Sequence, residues 1–350
     1  MIEIDGGEGG GQFLRSALSL SALTGESFQI TDIRGGRSTP GLRHQHLATV
    51  ELLAEICDAE VSESEIGTES LTFRPGAVRP GRYTVDIGTA GSIMLLFDAV
   101  LPLAVRAPKP FVLTARGGTD VKWAPTAAHY RQVKIRLLYR FGLQAIVEID
   151  RPGFYPVGGG EATLRIGSTR LSPVVLPSRD ASADGDIIGA RVFSLSSSDL
   201  AENAVATRQA DAAVEGLKKA DIPTIERTVR YANAHSPGSS IAIRLDREDA
   251  FAGFDAVGEP GKSAEKVAAE AVTDATAFVR DTAAAVDRHT ADQLLVFLAL
   301  AGGKIAVPEI TDHIASSREL LSAFGLAVDI ERDNGTPVLT ADGRSGSRES

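Results

Sequence analysis

The chain has 350 residues, a hydrophobic content of 43% and a formal net charge of −10 at pH 7. A chain of this size can bury a large core, so we expect one large domain and a smaller one, while the single cysteine, Cys57, excludes a disulfide framework and a cysteine metal site. Only eight of the 36 basic residues are lysines, and this acidic, lysine-poor composition predicts a halophilic source and argues against broad non-specific binding of nucleic acid.

The chain opens with a short strand that ends in a glycine-rich loop around a single carboxylate. Glu8 lies within the stretch Gly6–Gly11, and an apolar helical pattern follows from Gln12 to Leu20. Glycines let the backbone approach a ligand closely and point its N–H groups at an anion. Glu8 is the only charge in the loop and could hold a divalent metal beside phosphates. Because the loop matches neither a Walker A nor a dinucleotide-binding pattern, a plain glycine turn is the alternative.

An arginine cluster follows the second predicted strand. Arg34, Arg37 and Arg43 lie within ten residues, on a segment whose glycines and proline delay helix formation. Guanidinium groups bind phosphate in a bidentate manner, so we interpret the cluster as a phosphate grip, with exposed arginines of no special role as the alternative. The neighbouring His44 and His46 would point to different faces of the next helix, and we do not expect them to bind a metal.

Short strands alternate with helices through the first half of the chain. The predicted strands are 28–33, 71–74, 83–87, 111–115 and 145–148. The predicted helices are 46–57, 92–105 and 127–141. Glycine turns follow strands at Gly88 and Gly117. This alternation predicts an α/β (α+β) fold of repeated units, with helices on one face of each sheet.

The second half begins with a polar, turn-rich segment at 176–186, which predicts a hinge. Strands at 187–194, 224–231 and 239–245 and helices at 200–220 and 263–285 follow, and we interpret them as a compact α/β unit of their own. We therefore divide the chain into a large domain at 1–185 and 285–342, an inserted domain at 186–284 and a disordered tail at 343–350.

One segment of this unit imitates a phosphate-binding loop. The sequence Gly261-Lys262-Ser263 precedes a helix, as in a P-loop, but Ala256 stands where the pattern requires its first glycine. Pro260 also removes an N–H donor from the loop. We therefore interpret the segment as a strand-to-helix connection in which Ser263 is the N-cap.

His313 lies where an apolar strand pattern at 304–310 gives way to a helical pattern. The N-terminus of a helix carries a partial positive charge, which disfavours imidazolium and keeps the ring neutral. A neutral imidazole with a free lone pair is a nucleophile. A simple helix-capping role is the alternative.

Several short motifs occur in a fixed order along the chain. They are Gly7–Gln12 with Arg15, Arg34 and Arg37 with Pro40–Leu42, Gly88–Ser92, Gly117–Asp120, Gly153–Gly160, Ala291–Leu294 and His313. Together they resemble the RNA 3′-terminal phosphate cyclase family across most of the chain. The resemblance implies a large domain of repeated units, each with two helices on a four-stranded sheet, and an inserted smaller α/β domain.

The resemblance also implies an ATP-dependent conversion of an RNA 3′-phosphate to a 2′,3′-cyclic phosphate. His313 would attack the α-phosphorus of ATP, release pyrophosphate and carry AMP on a phosphoramidate bond. The AMP would pass to the RNA end, giving RNA-(3′)pp(5′)A, and the adjacent 2′-hydroxyl would then attack the activated phosphorus and expel AMP. RNA with a 3′-phosphate end is the implied partner, because the last step requires a 2′-hydroxyl.

Residue roles follow from the matching positions. Glu8 is implied to hold Mg²⁺ or Mn²⁺ near the triphosphate. The residues implied to lie near phosphates of the nucleotide or the RNA end are Arg15, Arg34, Arg37 and Gln45. The residues implied to lie beside the nucleotide are Pro125, His289, Asp292 and Gln293. Asp292 and Gln293 would equally suit a capping pair for a helix that starts at Leu294.

The chain departs from the family pattern near three of these positions. Ser316 and Ser317 replace a Thr-Asn pair after the histidine, Asp98 replaces a glutamine that contacts the nucleotide, and His289 replaces an aromatic residue. His289 is therefore the second candidate for the nucleophile. Two other classes are the alternatives. One is a non-catalytic relative that assists ribosome assembly, and the other is an enolpyruvate-type transferase of similar repeated fold, whose reaction would not explain His313.

The sequence also predicts where the protein works. The first residues carry no basic, apolar signal, and no apolar run approaches the ~18–20 residues that a membrane helix needs. We therefore expect a cytoplasmic protein without a membrane partner. The sequence predicts no particular oligomeric state.

Overall fold

A computed structural model describes residues 1–7, 10–107, 109–179 and 187–343. The strands are β1 (Ile2–Asp5), β2 (Phe28–Thr31), β3 (Glu60–Val61), β4 (Leu71–Arg74), β5 (Arg82–Asp86), β6 (Phe111–Gly117), β7 (Ala145–Arg151), β8 (Gly160–Ile166), β9 (Val174–Leu176), β10 (Ile187–Ser197), β11 (Thr224–Ala232), β12 (Ser239–Arg247), β13 (Phe251–Val257), β14 (Gly303–Ala306), β15 (Asp329–Asp333) and β16 (Thr336–Ala341).

The helices separate these strands along the chain. They are α1 (Gly10–Thr24), α2 (His44–Cys57), α3 (Ile93–Val100), α4 (Ala127–His129), α5 (Arg136–Arg140), α6 (Val205–Lys219), α7 (Ala264–Asp281), α8 (Arg288–Ala301) and α9 (Asp312–Ala323). A π-helical stretch, Tyr130–Ile135, joins α4 to α5, and short 3₁₀ segments occupy Leu101–Val105 and Ser198–Leu200. Among the described residues, no helix combines the length and apolar character that a membrane crossing would require.

Three four-stranded sheets share one connection pattern. Their strand orders are β1-β2-β4-β3, β5-β6-β8-β7 and β9-β14-β16-β15. In each sheet the first two strands along the chain pair in parallel, and the remaining pairs are antiparallel. A helical segment follows each of the first two strands, so each unit is βαβαββ. The predicted α+β fold with repeated units of helices on four-stranded sheets is confirmed.

The fourth sheet interrupts the third repeat between β9 and α8. Its order is β11-β10-β12-β13, which differs from the pattern of the repeats. Helices α6 and α7 pack on it and contribute to a hydrophobic cluster that includes Val192, Leu217 and Phe278. The repeats share a larger cluster of their own. The proposed boundaries of an inserted domain at 186–284 stay a prediction, since most of the expected hinge and of the tail lies outside the described residues.

Some predicted elements differ from the observed ones at their ends. The predicted strand at 304–310 ends at Ala306, because Pro308 has no N–H to donate to a sheet. The predicted helix at 263–285 ends at Asp281. Near this end the guanidinium of Arg179 donates hydrogen bonds to the backbone carbonyls of Val279 and Thr282. Two-residue and peripheral strands such as β3 and β9 were not predicted, since such short runs carry no measurable periodicity.

Candidate active site

A cavity of about 990 Å³, lined by both apolar and charged side chains, lies between the helices of the repeats and the fourth sheet. Binding sites for small molecules commonly enclose ~300–1,000 Å³, so this cavity can hold a nucleotide-sized ligand. Its walls include residues of α1, α3, α7, α8, α9 and the loop after β6. The sequence-predicted site residues that line it are Arg15, Pro125, His289, Asp292, Gln293 and His313.

His313 occupies the second position of α9 and faces this cavity. The helix begins here because Thr311 is its N-cap, whose hydroxyl accepts a hydrogen bond from the N–H of Ile314 at 3.1 Å. The His313 side chain is exposed and therefore open to an incoming ligand. The hydroxyl of Ser316 donates to the backbone carbonyl of His313 at 3.3 Å, so this departure from the family pattern supports the helix turn and does not orient the imidazole.

Asp292 and Gln293 line the cavity, and each has one buried side-chain oxygen without a hydrogen-bond partner among the described residues. The Nε2 of Gln12 donates to Asp292 Oδ2 at 2.7 Å, whereas Asp292 Oδ1 and Gln293 Oε1 are buried and have no partner among the described residues. Burial raises the pKa of the Asp292 carboxyl, while the hydrogen bond from Gln12 and the nearby His313 lower it. Buried polar atoms without partners are uncommon in folded proteins, and an ordered water or a cation is the usual partner of such oxygens.

The alternative role of Asp292 and Gln293 as a helix cap is wrong. Helix α8 already begins at Arg288, and its N-cap is Asp287, which accepts hydrogen bonds from the N–H groups of His289 and Thr290. Asp292 therefore lies in the second turn, where the backbone N–H groups are already paired within the helix.

Asp98 and Lys134, which both line the cavity, form a largely buried ion pair. Lys134 Nζ lies 2.5 Å from Asp98 Oδ1 and 5.3 Å from the centre of the Tyr130 ring. Burial lowers the pKa of the nearby Arg15 guanidinium, while the carboxylates of Asp98 and Asp292 raise it. Asp98, which departs from the family pattern, thus balances two cations. Lys134 was not predicted as a site residue, because its contact with Asp98 is set by packing between two helices and not by sequence spacing.

Arg34, Arg37 and Gln45 lie outside the group of residues that line the cavity. Arg34 Nη1 donates to the carbonyls of Thr39 and Gly41, each at 2.9 Å, and so holds the shape of the arginine loop. Gln45 Oε1 accepts from the N–H of Ser92 at 2.9 Å, just before α3. These contacts give Arg34 and Gln45 structural partners.

The arginines of this loop nevertheless lie close together. Burial lowers the pKa of Arg34, and the nearby charges of Arg43 and Arg37 lower it further. The guanidinium of Arg37 lies beside Gly10, the first residue of α1. A local excess of positive charge next to a helix N-terminus suits an anion. The phosphate-contacting roles of Arg34, Arg37 and Gln45 stay predictions.

The segment that imitates a P-loop borders the cavity. It connects β13 to α7, and Ser263 is the N-cap of α7, as predicted. Lys262 forms an ion pair with Glu270 and lies 3.8 Å from Glu259, and all three residues line the cavity. The sequence had suggested no part for Lys262 in the site, because this wall forms only when the fourth sheet packs against the repeats.

The described residues contain no group of three or more His, Cys, Asp or Glu side chains that could hold a metal ion. Glu8, the predicted metal ligand, lies outside the described residues. Mg²⁺ needs no such cage, since it often binds through one or two carboxylates together with substrate phosphates and water. The unpaired Oδ1 of Asp292 is an oxygen donor of the required kind.

His46 supports the arginine loop and does not form a metal pair with His44. Its Nδ1 accepts a hydrogen bond from the N–H of Arg43 at 3.1 Å, and its Nε2 lies so close to Gly11 that any larger residue there would collide with it. Burial, together with the nearby charges of Arg15 and other arginines, lowers the pKa of His46 to about 3. The ring is therefore neutral in the folded protein at ordinary pH.

This neutral histidine predicts a loss of stability in acid. Below pH ~6.5 the unfolded chain binds a proton at His46 that the folded protein does not, so stability falls from that pH toward the folded pKa of about 3. A histidine-to-glutamine change at 46 keeps an acceptor for Arg43 but removes the titration. Between pH 6.5 and 5 the native protein should lose about 2 kcal/mol more unfolding free energy than this variant.

Urea unfolding at both pH values measures this difference. His44→Gln is the matched control, because His44 is exposed on the other face of α2 and should leave the pH dependence of the native protein unchanged. Equal losses in the native protein and His46→Gln would contradict the prediction.

The repeated units, the fourth sheet and the cavity define the class: an α+β protein with a large cavity between its sheet-and-helix units. A family model described as RNA 3′-terminal phosphate cyclase matches residues 6–330. The chain therefore belongs to the RNA 3′-terminal phosphate cyclase family, and its curated relatives of that name are ligase-type enzymes.

Relatives named RNA 3′-terminal phosphate cyclase are similar over nearly their full length. The Halobacterium salinarum protein is 41% identical, and the match covers 97% of this chain and 100% of that relative. The Pyrococcus furiosus protein is 39% identical over 93% of each chain. The Pseudomonas fluorescens protein is 39% identical over 95% of this chain and 94% of its own.

Proposed function

We propose that this chain uses ATP to convert RNA 3′-terminal phosphates to 2′,3′-cyclic phosphates, with AMP carried on His313. The observation that carries this proposal is the position of His313: it is exposed at the start of α9 and faces the cavity that Arg15, Asp292 and Gln293 also line. The names of the relatives support the same reaction. An enolpyruvate transferase would have no use for a histidine there, and a non-catalytic relative would need no nucleophile.

The first step transfers AMP to the protein. A nitrogen of the His313 imidazole attacks the α-phosphorus of ATP, an N–P bond forms, and the P–O bond to pyrophosphate breaks. The Arg15 guanidinium can pair with phosphate oxygens and neutralise the charge that develops on them. Asp292 lies close enough for its carboxylate to interact with His313 electrostatically, so it would stabilise the positive charge that the imidazole gains on attack.

The second and third steps activate and close the RNA end. An oxygen of the 3′-phosphate attacks the AMP phosphorus, the N–P bond breaks, and His313 is free again. The 2′-oxygen then attacks the 3′-phosphorus, loses its proton and expels AMP. A phosphate monoester is a poor electrophile until one oxygen becomes a good leaving group, and adenylylation supplies that leaving group. The 2′-hydroxyl is already adjacent, so proximity supplies much of the remaining acceleration.

The other cavity residues fit parts of the substrates. Pro125 and His289 present ring surfaces that can flank the adenine base, and Gln293 Oε1 can accept a hydrogen bond from it. Mg²⁺ or Mn²⁺ held by Glu8 would neutralise charge on the leaving pyrophosphate. A cytoplasmic location and a halophilic source stay predictions.

The test uses ATP labelled on its α-phosphate and two RNAs that differ only at the last nucleotide. With 3′-phosphorylated RNA we expect protein-bound label that resists base and is released by acid. The terminal phosphate of the product RNA should also resist removal by phosphatase. With a 2′-deoxy terminal nucleotide the reaction should stop at RNA-(3′)pp(5′)A, because the nucleophile of the last step is missing. Absence of label on a folded protein would favour the non-catalytic alternative.

A further inference from the structure

Trp123 is the only tryptophan of the chain, and it is placed unusually. Its side chain is 95% exposed although it belongs to the loop that lines the cavity after β6. Burying so large an aromatic surface would be favourable, and tryptophan side chains are seldom left this exposed. The reaction steps proposed above give this residue no role.

The backbone at Trp123 is also unfavourable. Its φ is +60°, in the left-handed region that large side chains rarely adopt. Such conformations persist only where the surroundings enforce them, and they cluster at sites that bind or react. The conformation directs the indole outward from the rim of the cavity.

The surroundings do enforce this conformation. On one side of the loop, the buried Asp120 accepts a hydrogen bond from Ser240 of β12 at 2.8 Å. On the other side, the N–H of Thr126 donates to Asp255 of β13 at 2.7 Å. Between them, Lys122 pairs with Glu259 at 2.5 Å. The fourth sheet therefore holds both ends of the loop, so little ordering would be required when a ligand stacks on the indole.

We propose that Trp123 is a stacking platform for a base of the substrate RNA where the strand leaves the cavity. The proposal rests on the proposed function. An RNA strand extends from its reacting end into solvent and therefore passes the rim, whereas His313, the proposed nucleophile, lines the cavity itself. Stacking on an aromatic ring accepts any base, which suits an enzyme that acts on RNA ends. Lys122 Nζ lies 5.9 Å from the ring centre and stays paired with Glu259, so the stacking surface and not net charge is what the loop offers the strand.

The single tryptophan makes this stacking directly measurable. At fixed salt, titration of the full-length protein with 3′-phosphorylated RNA should quench the tryptophan fluorescence, because a base would cover the indole. An RNA whose terminal nucleotides lack bases but keep the 3′-phosphate should quench much less. Quenching of equal size by the two RNAs would overturn the proposal, since phosphate binding alone would then explain it.

Kinetics give the second test. Trp123→Ala should raise the KM for RNA about tenfold, as loss of one base–aromatic stack predicts. Its kcat and its rate of protein adenylylation with ATP alone should stay near those of the native protein. Trp123→Phe should recover most of the RNA affinity. Tyr139→Ala is the matched control, because Tyr139 is also an exposed aromatic (62%) but does not line the cavity.

The two proposals fail in different ways. If the native protein forms no AMP adduct, the proposed function fails whatever Trp123 does. If the adduct forms, and Trp123→Ala keeps the native KM for RNA, only the stacking proposal fails. If ATP alone quenches the fluorescence and Trp123→Ala weakens ATP instead of RNA, the base on the indole is adenine, and the assignment to RNA is overturned.

Discussion

His313→Ala is expected to abolish transfer of AMP from ATP to the protein, lowering the rate by roughly 10⁴-fold or more, as loss of a covalent nucleophile typically does. No other protein group in the proposed steps forms a bond to the α-phosphorus. The fold should survive, because the His313 side chain is exposed and the N-cap of α9 is Thr311. Label retained on the protein after electrophoresis under denaturing conditions measures the transfer directly.

His289→Ala is the matched control for this variant. Both histidines occupy the second position of a helix and line the same cavity. They differ in their partners: Nε2 of His289 is the acceptor for Nε of Arg288 at 3.3 Å, so that lone pair is already engaged. We therefore expect His289→Ala to keep the covalent label at saturating ATP, while loss of the ring beside the adenine raises the ATP concentration that half-maximal labelling requires. Label that survives in His313→Ala and disappears in His289→Ala would move the nucleophile to α8.

The local parts of this structure could be predicted from the sequence, because short-range chemistry decides them. Ser263 caps α7 because its hydroxyl reaches the N–H of Lys266, three residues on. The strand Leu71–Arg74 was predicted with its observed bounds because a β-branched and aromatic run ends in a proline and a glycine. The alternation of such elements also indicated the repeated units.

The assembled site could be predicted only in part. The position of Gln12 on α1 was visible, but its hydrogen bond to Asp292 joins residues 280 apart in sequence, which no spacing rule can indicate. The exposure of Trp123 likewise depends on how the fourth sheet holds its loop. Asp98 was recognised only as a departure from the family pattern. Its function in the structure, as partner of Lys134, depends on the packing of α3 against the π-helical stretch.

Breaking the ion pair between Lys134 and Asp98 is expected to lower the free energy of unfolding. The side chain of Lys134 is 3% exposed and that of Asp98 is 17% exposed. Replacing Lys134 by methionine keeps a side chain of similar length against Tyr130 but leaves the largely buried carboxylate of Asp98 without its ion-pair partner, and only the charge of Arg15 remains nearby. Removing one partner of a buried pair costs about 3–5 kcal/mol, and we expect the lower end of this range because Asp98 borders a cavity that water can enter. Urea unfolding at pH 7 measures the loss.

The double variant Asp98→Leu with Lys134→Met decides whether the pair or the lost packing is responsible. With both charges of the pair removed, neither Lys134 nor Asp98 leaves a partner behind, and Arg15 keeps the carboxylate of Asp292 nearby, so the double variant should recover part of the stability lost by Lys134→Met alone. The matched surface control is Lys219→Met, which removes a cation from the exposed pair with Glu215 and should leave the unfolding curve nearly unchanged. If the double variant is no more stable than Lys134→Met, the two charges do not stabilise each other. Lost packing around Lys134 would then explain the lower stability of the single variant. Strong coupling would instead mean that Asp98 and Lys134 neutralise each other where they line the cavity.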